Sequence, residues 1–465
     1  MLPPLQRKLF RNDGYGPLLK PEIIPFASDL ASDDGSVAAS TEWVKDLALA
    51  PVYLDQSGDD ANDGMSAASA VRTFSKAVDI GKSLLQQGIR IVVSGGSYSD
   101  LRKDIDHTTV ILDLQGAVTF SGDIYLFRNS VLYITGAYTF TATGDYRADA
   151  GSCIYADCGS WSHNGSIGGV NSSCLVFYCP VSITSNAKTA SLYASNCCSI
   201  RCADTISINA TDAVYAIMLH SGSSLYLVDT LTITATSVSN SVIDLSFNCS
   251  FICSADAQTL SISGSNNYSA IRCNDCSFIS IDCGLTISKC ISGAESVAIF
   301  GGSVFLLAKP SKIYGGPSET ITISGNSYVR FSPGVGNSID LEPSTASTNI
   351  CVLDSCSSLS VPKGWLKIIG HSGGNACALS LNLNSEANLA GYNVSGSFTV
   401  VTSVMRNSFL NIPANANVIN LATGTRYQAR DAGCIEINGN SAGQGRLPGN
   451  SSGGTVESAK FSYYG

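Results

Sequence analysis

The chain has 465 residues, 44 of them glycine, with only 14% charged side chains and a formal net charge of −9. That acidity, with no local Lys/Arg cluster to offset it, argues against a nucleic-acid partner, because like charge repels a phosphate backbone. Abundant Ser, Thr, Val and Ile suit strands and tight turns, so an all-β fold is expected, and no run approaches the roughly 18 apolar residues of a membrane span.

In chain order, residues 1–50 carry Pro3, Pro4, Pro17, Pro21 and Pro25. They predict an extended segment ordered only by a partner. The opening MLPPLQRKLFRNDGYG lacks the continuous apolar core of a secretion signal, so the chain is expected to fold in a cytoplasm. Its 17 cysteines, an odd number, then read as thiols rather than a disulfide framework.

Residues 51–104 read as an entry segment. Thr73 can cap a helix running through Gln87, with Phe74, Ala77, Val78, Gly81, Leu84 and Leu85 on one apolar face and Gly88 as the stop. Such a helix is expected to cover the open end of the strands that follow, where unpaired backbone groups would otherwise recruit another chain. Asp59, Asp60, Asn62, Asp63 and Gly64 have the composition of a calcium loop, but ordinary turn chemistry is the expected role.

From residue 105 to 410 the sequence repeats. A short apolar strand recurs after a small residue at Ser199, Ser224, Ser250, Ser277 and Ser303, starts that are 25, 26, 27 and 26 residues apart. Weaker copies begin at Ser173, Ser327 and Ser358. Stacked supersecondary units produce such a period.

Each repeat divides into three strands, A, B and C. Strand A includes Ala216-Ile217, Val242-Ile243 and Ala270-Ile271; strand B is the series above. Strand C is the triplet seen at Val181–Ile183, Ile206–Ile208, Leu231–Ile233, Leu260–Ile262 and Leu285–Ile287. The fold class is therefore a right-handed parallel β-helix with three strands and about 26 residues per rung.

Alternation places Ser182, Ser207, Thr232, Ser261 and Thr286 of strand C outside. On strand B it is expected to turn Tyr226, Ile252, Ile279 and Phe305 outward as an apolar stripe, which predicts a homo-oligomer. Cys198, Cys249, Cys276 and Cys356 fall at or beside the small position before strand B, where cysteine is expected to pack as a small buried residue. Cys273, Cys276, Cys283 and Cys290 could suggest zinc, but they would lie on different sides of a rung. No metal or cofactor is expected.

Asp204, Asp229, Asp256 and Asp282 recur at the turn from strand B to strand C. Successive rungs would hold neighbours about 5 Å apart and alternate members about 10 Å apart, near the separations used by retaining and inverting glycosidases. A turn role explains the same pattern and is the leading expectation; cation binding and catalysis are the alternatives. Asp244 and Arg272 follow Ile243 and Ile271 on successive rungs and predict an exposed cross-rung ion pair. Tyr155, Tyr193, Tyr215 and Tyr268 are candidates for stacking on sugars, against the commoner packing role of strand aromatics. The histidines His107, His163, His220 and His371 have no partner in a nucleophile motif.

The segment VYLDQSGDDANDGMSAASAVRTFSKAVDIGKSLLQQGIRIVVSGGSY, Val52 to Tyr98, resembles the entry segment of right-handed parallel β-helix proteins, a set of polysaccharide lyases, hydrolases and phage tail proteins. It implies the fold more than the activity. At the other end, Gly424-Thr425-Arg426-Tyr427, Leu447-Pro448-Gly449-Asn450 and Gly453-Gly454-Thr455 resemble the ends of phage and prophage tail fibre proteins. That resemblance implies a homotrimeric virion protein whose residues 1–50 attach to a tail or baseplate, whose residues 411–465 form a small C-terminal β tip, and which binds a host-surface glycan. Some tailspikes of this fold also cleave surface polysaccharide with carboxylates, so a depolymerase is the rival expectation.

Overall fold

The structure, a computed structural model, describes residues 50–84, 88–99, 103–186, 189–266, 269–288, 295–315, 318–346, 348–413, 416–437, 447–450, 455–456 and 463–464. Tyr268, Cys290, Gln87 and residues 1–49 of the proposed attachment segment 1–50 lie outside them. The fold is an all-β, right-handed parallel solenoid of about 13 turns, with about 25 residues per turn and about 4% helix. The chain divides into two compact units: residues 1–181 with 198–203, and residues 182–197 with 204–465.

In the first unit, strand B runs through Pro51–Leu54, Ile89–Val93, Thr109–Leu114, the first half of Val131–Thr143, the first half of Cys153–Asn164 and Cys174–Phe177. Thr109, Val131, Cys153 and Cys174 are in register, so these rungs span 21 to 22 residues, shorter than the repeat seen in sequence. Aromatic rings fill the bore: Phe120 meets Phe140 at 5.7 Å, Phe140 meets Trp161 edge-on at 5.7 Å, and Trp161 meets Phe177 at 5.5 Å.

The helix Phe74–Ser83 is capped by Thr73, whose side chain accepts from Lys76 N–H. Phe74, Ala77, Val78 and Gly81 are its buried face, and the Phe74 ring stands edge-on to Phe120 at 5.4 Å, closing the bore as expected. Gly81 is there for close approach: a Cβ would lie 2.2 Å from Ile89 Cγ2. The helix stops earlier than the sequence suggested, at Leu84, whose N–H returns to Gly81 O. The acidic loop before it is structural. Asp60 accepts from Arg72 N–H, Thr73 N–H and Thr73 Oγ1, and Asp63 from Met65 N–H and Ser69 Oγ.

In the second unit, strand B occupies Ser224–Leu227, Ser250–Cys253, Phe278–Ile281, Val304–Leu307, Tyr328–Phe331, Ser358–Val361, Glu386–Leu389, Phe409–Ile412 and Cys434–Ile437. Their registers give rungs of 23 to 30 residues. Strand C obeys its predicted alternation: Leu231, Ile233, Leu260, Ile262, Leu285 and Ile287 are buried, while Thr232 and Thr286 are exposed. The ladder runs past residue 410, since Asn417–Arg430 pairs with Gly391–Met405 and Cys434–Ile437 with Phe409–Ile412.

Every A-to-B corner of this unit uses the same device. Two consecutive residues take left-handed backbone angles: Asn196-Cys197, Ser221-Gly222, Phe247-Asn248, Asp275-Cys276, Gly301-Gly302, Gly325-Asn326, Ser355-Cys356, Leu383-Asn384, Arg406-Asn407 and Asp431-Ala432. The next residue is small and buried: Ser223, Cys249, Ser277, Ser303, Ser327, Ser357, Ser385 and Ser408. Ser327 and Ser385 each serve two backbone groups through one side chain. Ser385 Oγ accepts Ser357 N–H from the previous rung and donates to Asn382 O within its own corner. The recurring small residue is thus a polar ladder inside the wall, and a corner that would bury unpaired peptide groups is satisfied.

Two sequence expectations are corrected here. Ser277 and Ser303 belong to this ladder, not to strand B, because Ser250 pairs with Phe278 and Phe278 with Val304. A one-residue slip exchanges the faces, so Ile279 and Phe305 point into the bore, 1% and 0% exposed. The outward residues are Tyr226, Ile252, Ser280, Leu306 and Arg330, a mixed column rather than an apolar stripe. Cys276 and Cys356 are the second correction. They occupy the exposed left-handed corner position, while Cys198 and Cys249 do take the buried ladder position.

Candidate functional site

Asp229, Asp256 and Asp282 do not stack, whereas Asp204 and Asp229 share one offset, each two residues before the paired Ile206 and Leu231. Leu227, Cys253 and Ile281 are in register, and Asp229, Asp256 and Asp282 follow them by two, three and one residues. The spacing argument for a glycosidase pair therefore fails beyond Asp229, and in the one neighbouring pair, Asp204 and Asp229, each carboxylate is bonded to the N–H of the following residue. Their bonds are local: Asp204 accepts from Thr205 N–H and Asp229 from Thr230 N–H at 2.6 Å, Ser280 Oγ approaches Asp282 at 3.5 Å, and the Asp256 N–H donates to Ser254 Oγ. All four are turn residues of the B-to-C corner.

The tyrosines are dispersed. Tyr155 stacks on Tyr133 at 5.4 Å and is 7% exposed, in an outward but self-covered cluster with Ile111, Cys153 and Val176. Tyr193 and Tyr215 are half-buried on strand A of the second unit. The suggested zinc ligands also separate: Cys273 faces the bore, Cys276 is an exposed corner residue, and Cys283 lies against Cys253 at 3.0 Å.

One polar cluster does form, on the outer face of strand A. Strands Ala190–Ser195, Tyr215–His220, Ile243–Ser246 and Ile271–Cys273 are stacked so that Tyr193, Met218, Asp244 and Arg272 make one outward column. Ile243 and Leu245 anchor Asp244 by pointing inward on either side, and Asp244 is only 6% exposed. Its Oδ2 accepts from Ser246 Oγ at 3.1 Å; its Oδ1 has no hydrogen-bond partner, with Arg272 Nε at 3.9 Å. The cross-rung pair read from sequence is present, but Asp244 is buried rather than exposed.

The electrostatics follow from that burial. Desolvation pushes the Asp244 carboxyl above the ordinary carboxylate range, against the opposing pull of Arg272, Ser246 and His220. Burial also raises Glu295, helped by repulsion from Glu319 and opposed by Arg272. Tyr215, whose hydroxyl accepts from Asn240 Nδ2 at 2.8 Å, is raised by burial and by Asp244. His220, beside Ser221 Oγ at 2.6 Å and edge-on to Phe247 at 4.9 Å, closes one side. The cluster thus gathers two carboxyls that resist ionisation, a guanidinium, a phenol and an imidazole, groups that hydrogen-bond hydroxyl-rich or acidic ligands.

Sequence reasoning found the Asp244–Arg272 pair and, separately, Tyr215; it named His220 only among histidines without a nucleophile motif, and it missed Glu295. The missing signal was the register of the A strands, which brings residues from three rungs to one guanidinium. Among the described residues, no group of three or more His, Cys, Asp or Glu side chains could hold a metal ion. No family model, curated protein or solved structure matches the chain.

Proposed function

We propose that the chain is a structural attachment protein of the phage tail-fibre or tailspike kind, a trimeric virion component that binds a host-surface glycan. The observation that carries the glycan part is the Tyr215–Asp244–Arg272–Glu295 cluster, set on a scaffold whose other repeated positions serve corners and core. The tail-fibre part rests on the resemblance of Gly424–Tyr427 and Leu447–Asn450 to tail-fibre ends. The reading is tested by binding the full chain to panels of bacterial capsular polysaccharide and lipopolysaccharide. Binding to at least one is expected, with Arg272→Ala weakening it roughly 10-fold or more, as removal of a charge-assisted hydrogen bond does. No binding to any surface glycan, or binding indifferent to Arg272, overturns it.

A depolymerase is the second reading, and the grouping of two part-buried carboxyls, Asp244 and Glu295, about Arg272 favours it, since burial moves both above the ordinary carboxylate range, the direction a general acid needs. New reducing ends, or unsaturated products, released from the bound polysaccharide and abolished by Glu295→Gln or Asp244→Asn would replace simple attachment with cleavage.

A further inference from the structure

The cysteines of the first unit form cross-rung pairs. Cys153 and Cys174 are direct register neighbours on adjacent B strands, with Sγ atoms 2.6 Å apart. Cys158 and Cys179 form a second pair at 3.6 Å, and the second unit holds Cys253 and Cys283 at 3.0 Å. All are thiols.

Only one of these pairs faces outward. Cys158, Cys179, Cys253 and Cys283 are 9%, 2%, 0% and 2% exposed, whereas Cys174 is partly exposed and Cys153 shares its outward column. In-register parallel neighbours stand about 4.8 Å apart, inside the roughly 4.4–6.8 Å range of Cα separations that a disulfide spans. The wall therefore needs no rearrangement to be bridged there. Cys174 donates to Cys153, which draws the Cys153 thiol below its ordinary range and pushes Cys174 well above it, while the Tyr155 hydroxyl lies 3.5 Å from Cys174 Sγ. Two thiols in contact across adjacent rungs, one of them more acidic than an ordinary cysteine, form the arrangement from which thiol–disulfide exchange closes a bridge.

We propose that Cys153 and Cys174 form an oxidisable dithiol that staples two neighbouring rungs by exchange with a low-molecular-weight disulfide such as oxidised glutathione. A thiolate of the pair attacks one glutathione sulfur and expels a glutathione thiolate. The second protein sulfur loses its proton to that thiolate and displaces the remaining glutathione. One protein S–S bond forms, two protein S–H bonds are lost, and the glutathione disulfide is reduced to two thiols.

The test uses the reduced full chain equilibrated with mixtures of reduced and oxidised glutathione, then alkylated, denatured and digested with chymotrypsin. Cleavage after Tyr155 and Trp161 separates the two cysteines. The expected result is a Cys153–Cys174 linked peptide that grows with oxidising poise, disappears with dithiothreitol, and accompanies a rise of a few degrees in Tm. Cys153→Ser or Cys174→Ser abolishes the link, and Cys158→Ser leaves it unchanged. The proposal is overturned if both thiols stay reduced while exposed Cys197, Cys276 and Cys356 carry glutathione, or if Cys153 and Cys174 link to other partners.

Discussion

His163 lies in the bore of the first unit, 1% exposed, edge-on to Tyr146 at 5.0 Å and to Trp161 at 5.7 Å. Its Nε2 donates to Ser166 O at 3.2 Å, so the neutral ring leaves Nδ1 unprotonated. Desolvation lowers its pKa to about 4 from an ordinary 6.5. The unfolded chain therefore binds the proton first, and stability is lost as pH falls from about 6.5 through 4. The loss amounts to about 3 kcal/mol in that window. Urea midpoints measured from pH 7 to 4 should show this fall, and His163→Leu should flatten it. Asp244 has the opposite sign. Its raised carboxyl ionises at a cost in the folded state, so Asp244→Asn is expected to be more stable than the parent at pH 7 and no different in acid, by thermal melts at both. At the polar ladder, Ser385→Ala strands Ser357 N–H and Asn382 O and should cost about 1–3 kcal/mol. Ser385→Cys should cost less, because Cys249 Sγ already reaches Ser246 O at 3.0 Å from the equivalent position.

At the scale of the element, the A-to-B corner decides the register of everything after it. Two left-handed residues followed by a small hydrogen-bonding one reverse the chain, and glycine, asparagine, aspartate and serine dominate because they tolerate positive φ. Leu383 is an exception, with φ 51° and a side chain 37% exposed. Relief of a non-glycine left-handed conformation makes Leu383→Asn stabilising by roughly 0.5–1 kcal/mol, which chemical denaturation would detect as a higher midpoint at unchanged slope. The repeat in the sequence was visible through the serines of this corner. The same serines misled the alignment of strand B, because Ser224 and Ser250 begin the strand while Ser277 and Ser303 precede it. Serine suits both positions, and only the backbone pairing distinguishes them.

At the scale of the whole molecule, the trimer is a prediction carried by the tail-fibre resemblance, since the strand B column that first suggested it is mixed in polarity. Light scattering on the full chain at micromolar concentration should give three times the monomer mass of 48.4 kDa, and a monomer would refute it. Salt dependence should be slight, because the described cross-rung ion pairs, such as Arg90–Asp113 and Lys367–Asp340, are partly exposed and contribute about 0–1 kcal/mol each. The sequence by itself determined the solenoid, its three strands per rung and its capping helix. Those follow from periodicity and capping chemistry, which are local and survive in one dimension. It also held the Asp244–Arg272 pair, because a cross-rung pair needs only the repeat length. Tertiary structure alone decided that Asp229, Asp256 and Asp282 are offset, that Ile279 and Phe305 turn inward, and that Glu295 joins Arg272. Corner lengths differ from rung to rung, and each inserted or deleted residue moves its neighbours to another column or another face. Residues that meet across rungs are therefore set by pairing that spacing in sequence does not record.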